Sequence, residues 1–156
     1  MSFSSLKKSF TNNLMNVPGP RTSRKIVVIE SDDWGSIRMP SREIYEQLQS
    51  DGCKPEADPY LKYDSLASEE DLKCLFEVLS SVEDSRGSHA IITANVVMGN
   101  PDFPKIRNSG FSEFFFEPFV DTMKRYPNHA GSFDLWKKGI SNQLFKPQLH
   151  GREHLN

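Results

Sequence analysis

The chain has 156 residues, of which 37% are hydrophobic and 26% charged. This length suits one domain that can bury a core, but it is too short for a complete eight-fold (β/α) barrel, which typically needs about 250 residues. The formal net charge of −2 and the pI near 6.1 give the chain as a whole no electrostatic drive toward nucleic acid or an anionic membrane.

Residues 1–23 are rich in Ser, Asn and Lys and read as a lead-in, with a short amphipathic helix expected around residues 6–14. This lead-in lacks the apolar run of a secretory signal, and no stretch of the chain is long and apolar enough for a membrane span. Cys53 and Cys74 have neither metal-binding spacing nor a disulfide framework around them, which favours a reducing compartment. We therefore predict a cytoplasmic protein.

The first strand is predicted at residues 26–29, where four β-favouring aliphatics follow one another without polar alternation. Such a run is typical of a strand buried on both faces, as in a parallel sheet covered by helices. It leads into Asp32-Asp33-Trp34-Gly35. Adjacent acids at the carboxyl end of a strand lie where α/β folds place their chemistry, so one can hold a metal while the other transfers a proton.

The rest of the chain alternates between helical and strand-like patterns. In the first half, these patterns predict a helix at 41–50 with a buried stripe at Ile44, Tyr45 and Leu48, a loop at 54–66 and a helix at 68–82 capped by Ser68. A strand at 89–98 and a loop at 99–110 follow, and then a phenylalanine run at 111–119 that is expected in the core. The remaining predictions are a helix starting near Pro118, a helix at 132–144 and a strand at 145–149. This order is typical of an α/β fold with a parallel sheet.

The chain ends with two histidines four residues apart, His150 and His154. This spacing lets two imidazoles bind one ion, and a divalent cation then still needs a carboxylate, for which Asp32-Asp33 is the obvious donor. The histidine pair and the acidic pair each also have a simpler interpretation. The histidines can be exposed residues near a polar terminus, and the acids can be turn formers at the end of a strand.

Together, the apolar strand ending in Asp-Asp-Trp-Gly and the distant His-Gly-Arg-Glu-His resemble the polysaccharide deacetylase family of carbohydrate esterases with NodB homology. The resemblance covers about residues 25–156, which correspond to the first half or so of the family's domain. It implies a partial (β/α) barrel of about three parallel strands with covering helices, with residues 24–156 as an incomplete domain. Trp34 is inserted before the glycine, Gly151 stands where Ser or Thr is usual, and the family's later motifs have no counterpart.

Carried over position by position, the resemblance implies Asp32 as the catalytic base and Asp33, His150 and His154 as ligands of a divalent metal. Zn²⁺ is the first choice, and other divalent transition metals suit the same ligands. The implied substrate is an N-acetylated sugar or polysaccharide intermediate, whose acetyl group is removed by a metal-activated water.

Three further residues are candidates for substrate binding: Trp34, Asn95 and Arg152. A tryptophan can stack on a sugar ring, although a core residue covering the strand end is the commoner role. An arginine can pair with a carboxylate of the site, although most such arginines are solvated.

Two other functions fit the same residues. The chain can be a catalytically impaired, metal-binding fragment, in which case self-association or a second chain is expected to complete the barrel. His150-Gly151-Arg152-Glu153-His154 also matches the H-x-x-E-H pattern of a zinc metalloprotease, which requires the motif on a helix. The two-histidine, one-carboxylate site of non-haem iron oxygenases lacks its expected His-x-Asp/Glu pair here.

Overall fold

A computed structural model describes residues 3–15, 18–19, 22–63 and 65–153 of the chain. In chain order its elements are α1 (Phe3–Met15), β1 (Ile29–Trp34), α2 (Arg42–Ser50), a 3₁₀ turn (Pro55–Ala57), α3 (Pro59–Tyr63), α4 (Glu69–Ser80), β2 (Ile92–Val97), β3 (Gly99–Pro101), α5 (Phe103–Asn108), β4 (Phe116–Pro118), α6 (Phe119–Arg125), α7 (Ser132–Ser141) and β5 (Phe145–Gly151).

The centre of the fold is a three-stranded parallel sheet in the order β1-β2-β5. β2 lies in the middle and is the most buried strand, with Ala94 and Val97 fully inaccessible. β3 and β4 form a separate antiparallel pair, and β3 follows β2 directly in the sequence. The expected α/β class with a parallel sheet is therefore confirmed, and the strands of the described residues do not close into a barrel.

The position and burial predicted for the first strand are wrong. β1 begins at Ile29, and residues 26–28 are exposed, with Val27 at 85%. Pairing starts only where Ile29 meets Ile92, because the segment before Ile92 turns back on itself, with the Ala90 amide bonded to the Val82 carbonyl at 3.2 Å. Residues 26–28 consequently have no neighbouring strand among the described residues, and the acidic pair lies inside β1 instead of after it.

The helix predicted at 68–82 is confirmed as α4, and its amino end is fixed by a reciprocal cap. The Asp71 amide donates to Ser68 Oγ at 3.2 Å, and the Ser68 amide donates to Asp71 Oδ2 at 2.9 Å. Two otherwise unsatisfied donors of the first turn are thereby paired. The apolar face of α4 carries Leu72 and Leu79 into the core.

The core between the sheet and the helices is largely aromatic. The Phe145 ring lies 5.0 Å from both Trp34 and Trp136 and 6.1 Å from Phe76, all in edge-to-face arrangements. Gly139 allows α7 to approach α4, because a Cβ added there would lie 2.8 Å from Cε1 of Phe76 and 3.0 Å from Cβ of Phe145.

Several other expectations need correction. Ser41 caps α2 as predicted, but Ile44 is exposed and the helix buries none of its residues. The stretches predicted as loops contain α3, β3 and α5. Only Phe119 of the phenylalanine run is buried, while Phe111 is 77% exposed and Phe116 lies in β4 and is 47% exposed.

Replacing Gly139 with alanine is expected to destabilise the fold. Helix propensity favours alanine over glycine by about 1 kcal/mol, whereas overpacking a core typically costs about 1–3 kcal/mol. The contacts with two aromatic side chains place Gly139→Ala at the upper end of that range, so we expect a net loss of about 1–2 kcal/mol in urea unfolding. Lys138→Ala, at an exposed position of the same helix, is the control, and an equal effect for both variants would contradict the close packing.

The cap of α4 predicts a pH-dependent contribution to stability. Hydrogen bonds from Ser68 lower the pKa of Asp71 below its ordinary value of 3.8. Because the folded pKa is the lower one, the contribution is fully present above pH 3.8 and is lost as the pH falls through the folded value. Asp71→Ala should therefore lower the free energy of unfolding by about 0.5–1 kcal/mol at neutral pH, a small effect because the residue is exposed. The difference between the two proteins should close in acid, and a constant difference would contradict the assignment.

Candidate active site

The acidic pair lies in a bulge of β1. Ser31 pairs with Ala94 and Trp34 pairs with Val96, so two residues of β1, Asp32 and Asp33, stand opposite the single residue Asn95. Asp33 has a positive φ of 62°, a left-handed conformation that aspartate tolerates better than most residues. Bulges re-aim side chains and are common beside active sites. The local backbone therefore turns the two carboxylates in different directions.

A second bulge lies in β5, on the other side of β2. Val96 pairs with Leu149, but the next pair joins Val97 to Gly151, which leaves His150 as the extra residue. The two bulges thus lie at the same level of the sheet, near the carboxyl end of β2. Each presents one of the side chains that the sequence predicts as metal ligands.

His150 and Asp33 converge across the central strand. Their Nε2 and Oδ1 atoms are 3.5 Å apart, and the side chains are 38% and 26% exposed. Neighbouring strands are about 4.8 Å apart, so the backbones of β1 and β5 are separated by roughly 10 Å. The two side chains therefore reach toward each other over β2; both are partly exposed, but the Asp33 Oδ1 atom itself is buried.

Asn95 contacts the residue expected to be the base. Its Nδ2 donates to Oδ1 of Asp32 at 2.6 Å. Because Asn95 lies in β2 opposite the bulge, this hydrogen bond joins the two strands and fixes one carboxylate oxygen. The sequence singled out Asn95 for substrate binding, and the structure places it against Asp32.

Arg38 is a residue of the site that the sequence analysis missed. Its Nη2 donates to Oδ2 of Asp33 at 2.9 Å, and its guanidinium lies 5.1 Å from the centre of the Tyr60 ring. The Arg38 side chain is only 15% exposed, so this ion pair is shielded from solvent more than a surface pair. The available signal was a cation five residues after an acidic pair, just beyond the turn at Gly35.

The segment that carries Arg38 is held by a buried asparagine. Asn100, which is 1% exposed, accepts from the Ile37 amide at 2.9 Å and donates to the Gly35 carbonyl at 2.8 Å. Its Nδ2 also lies 3.1 Å from Oγ1 of Thr122 in α6. Gly35 has a φ of +86°, and an added Cβ would lie 3.1 Å from the Val97 carbonyl oxygen, so the turn requires glycine.

A cavity of about 220 Å³ adjoins the acidic pair. Its walls include both acids and the apolar side chains of Leu66, Met123 and Trp136. Trp34 contributes to the same wall and also packs in the aromatic core, so its position is compatible with both roles predicted for it. Nε1 of Trp136 is buried and has no hydrogen-bond partner among the described residues.

Of the two remaining predicted site residues, the structure describes Arg152 but not His154. The Arg152 side chain contacts Glu153 and lies 4.9 Å from the centre of the Phe116 ring. His154, the third predicted ligand, lies outside the described residues. Over residues 3–15, 18–19, 22–63 and 65–153, no group of three or more His, Cys, Asp and Glu side chains could hold a metal ion.

The geometry of Asp33 and His150 nevertheless fits a shared metal. Two ligands about 2.0–2.1 Å from a zinc ion, at the tetrahedral angle, lie about 3.3 Å apart. The observed separation of 3.5 Å is close to that value, and a carboxylate oxygen with an imidazole nitrogen is a donor set that zinc accepts. The same distance also suits an ion pair when His150 is protonated.

The environment of His150 differs from that of a helical metalloprotease motif. His150 lies in β5, and the described part of the motif, residues 150–153, contains no helix. A zinc-binding H-x-x-E-H run presents its two histidines from one helix face.

No family model, no curated protein and no solved structure matches the chain. None of the helices in the described part of the chain has the length and apolar character needed to cross a lipid bilayer.

Removing the Arg38 side-chain charge should destabilise the protein, because Asp33 would then lose a shielded partner. We expect Arg38→Met to lower the free energy of unfolding by about 1–3 kcal/mol. Arg42→Met is the matched control, since Arg42 forms an exposed pair with Glu46 on α2 and should change stability by less than about 0.5 kcal/mol. Similar values for both variants would show that the Arg38–Asp33 pair contributes no more than a surface contact.

Proposed function

We propose that the chain is a metal-dependent deacetylase of the polysaccharide deacetylase type, which removes an acetyl group from an N-acetylated sugar. The observation that carries the proposal is the 3.5 Å approach of Asp33 Oδ1 and His150 Nε2. These residues are more than a hundred positions apart in the chain and come from different bulged strands. The approach supports the same pairing of motifs that the family resemblance implies.

In this proposal Asp33, His150 and His154 hold a divalent cation, with Zn²⁺ as the first choice. When bound, Zn²⁺ supplies Lewis acidity toward the amide carbonyl and toward water. Arg38 binds the second oxygen of Asp33, Oδ2, and so leaves Oδ1 directed at His150. Arg38 is therefore a positioning residue for the ligand carboxylate.

Asp32 is the general base. It accepts a proton from the water that attacks the acetamide carbon and returns a proton to the nitrogen as the C–N bond breaks, which gives acetate and a free amine. Asn95 holds Oδ1 of Asp32 at 2.6 Å, which leaves Oδ2 for this proton. A base fixed in this way loses little orientational freedom in the reaction.

The cavity beside the acids suits the acyl part of such a substrate. Its volume of about 220 Å³ and its apolar walls at Leu66 and Met123 accommodate an acetyl methyl group.

A second candidate function is metal binding without efficient turnover. The described residues provide no histidine that could act as a separate general acid: both ring nitrogens of His129 contact backbone carbonyls, and His89 pairs with Glu83. Both outer strands of the sheet also have an open edge in the described part of the chain. In this alternative, self-association or a second polypeptide supplies the missing groups.

Measurements of zinc binding and of acetate release should separate the metal ligands from the general base. Zinc is titrated into metal-free protein by calorimetry, and acetate is measured with a short oligomer of N-acetylglucosamine. We expect His150→Ala to lower zinc affinity by more than about 100-fold. Asp32→Asn should keep zinc affinity within about threefold but lower kcat by about 10²–10⁴-fold. His89→Ala, which changes a histidine outside the site, should alter neither quantity.

The outcomes distinguish the candidates. Zinc binding that depends on His150, with no acetate release from the wild-type protein, would favour the metal-binding fragment. Zinc binding unaffected by both His150→Ala and Asp33→Ala would show that the assigned ligands are wrong.

A further inference from the structure

Helix α1 has an apolar stripe that nothing in the described residues covers. Leu6, Phe10 and Leu14 repeat at four-residue spacing, so they lie on one face of the helix. They are 54%, 69% and 58% exposed, and every residue from Ser4 to Met15 is exposed. Serine, threonine and asparagine occupy most of the opposite face.

The same end of the chain has a one-sided charge. Residues 1–29 contain five of the 19 basic residues, at Lys7, Lys8, Arg21, Arg24 and Lys25, whereas all 21 acidic residues follow residue 29. The net charge of −2 therefore averages a cationic amino-terminal segment with a strongly anionic remainder. The expectation of no electrostatic drive toward anionic membranes was drawn from the charge of the whole chain, which differs from the charge of this segment.

We propose that α1 binds an anionic lipid surface, lying in the plane of the membrane with Leu6, Phe10 and Leu14 directed into it. A helix with an apolar stripe and a cationic flank is the usual form of an interfacial anchor. Lys7 and Lys8 lie within α1, and each basic residue near an anionic membrane strengthens binding by about fivefold. At 13 residues α1 is about 20 Å long, so it lies on a bilayer and does not span one.

Charge favours lipid over a second copy of the helix. Paired α1 helices would bring Lys7, which flanks the stripe, beside a common apolar seam, and α1 has no acidic residue to offset it. An anionic membrane supplies the missing negative charge as well as the apolar phase. This inference uses only residues 1–29 and is independent of the proposed deacetylase site.

The test is flotation of the full-length protein with vesicles of phosphatidylcholine, with and without about 30% phosphatidylserine. We expect binding to the anionic vesicles to be at least about tenfold tighter than to neutral ones, and to weaken when NaCl rises from about 0.05 to 0.5 M. Lys7→Gln with Lys8→Gln should reduce binding by at least about tenfold.

A matched pair of substitutions tests the stripe. Phe10→Gln removes an apolar contact, whereas Ser5→Gln changes the opposite face, and both keep good helix propensity. Phe10→Gln should reduce vesicle binding at least about fivefold, and Ser5→Gln should change it less than twofold. Melting temperatures should stay unchanged, because the α1 side chains are exposed.

Three outcomes would overturn the proposal: no binding to anionic vesicles, equal loss for Phe10→Gln and Ser5→Gln, or a dimer that Phe10→Gln converts to monomer in size-exclusion chromatography. The last result would assign the stripe to a second copy of the chain.

Discussion

The candidate site depends on two departures from regular strand pairing. In a regular parallel sheet, side chains alternate between faces and neighbouring strands keep a constant register. Here β1 has one residue too many at Asp32-Asp33 and β5 has one too many at His150, both flanking the same stretch of β2. Without these bulges the Asp33 and His150 side chains would follow the pleat of their own strands. With them, a carboxylate and an imidazole meet above the central strand.

These irregular segments are maintained by contacts from outside the sheet. Asn100 binds both backbone groups of the turn that follows β1, and it is itself held by Thr122. Arg38, delivered by that turn, binds Asp33, whose positive φ is costly for a residue with a side chain. The aromatic core beneath, with Trp34 packed against Phe145, fixes the carboxyl end of β1. The strain at Asp33 is thus offset by a network that comes from several parts of the chain.

The charges of the chain are distributed unevenly between its amino-terminal segment and the remainder, which the net charge of −2 does not reveal. The amino-terminal segment is purely cationic and carries an exposed apolar stripe, whereas the acids lie in the folded part, including the site. The two proposals therefore assign different chemistry to the two regions: lipid headgroups to the first, and a cation with a polar substrate to the second. If both proposals hold, the protein acts on acetylated sugars close to a membrane.

The sequence by itself determined the elements whose signals are local. The cap at Ser68 and the apolar repeat after it predicted α4, and the β-branched run around Ala94 predicted the central strand. The sequence also predicted the acidic pair and His150 as candidate site residues, because carboxylates and an imidazole directly follow strand-like segments there. What the sequence could not give was the start of β1: residues 26–28 have strong strand propensity, but a strand also needs a neighbour, and none is available there.

Only the tertiary structure decided how the site is assembled. The register of β1 and β5 against β2, and hence the bulges, depends on which residues pair across the sheet, and no local pattern encodes that choice. The roles of Arg38 and Asn100 depend on contacts with partners distant in space or sequence. Local sequence therefore determined which residues are candidates for the chemistry, while long-range pairing and packing determined which of them meet, because side-chain convergence is a property of the assembled sheet.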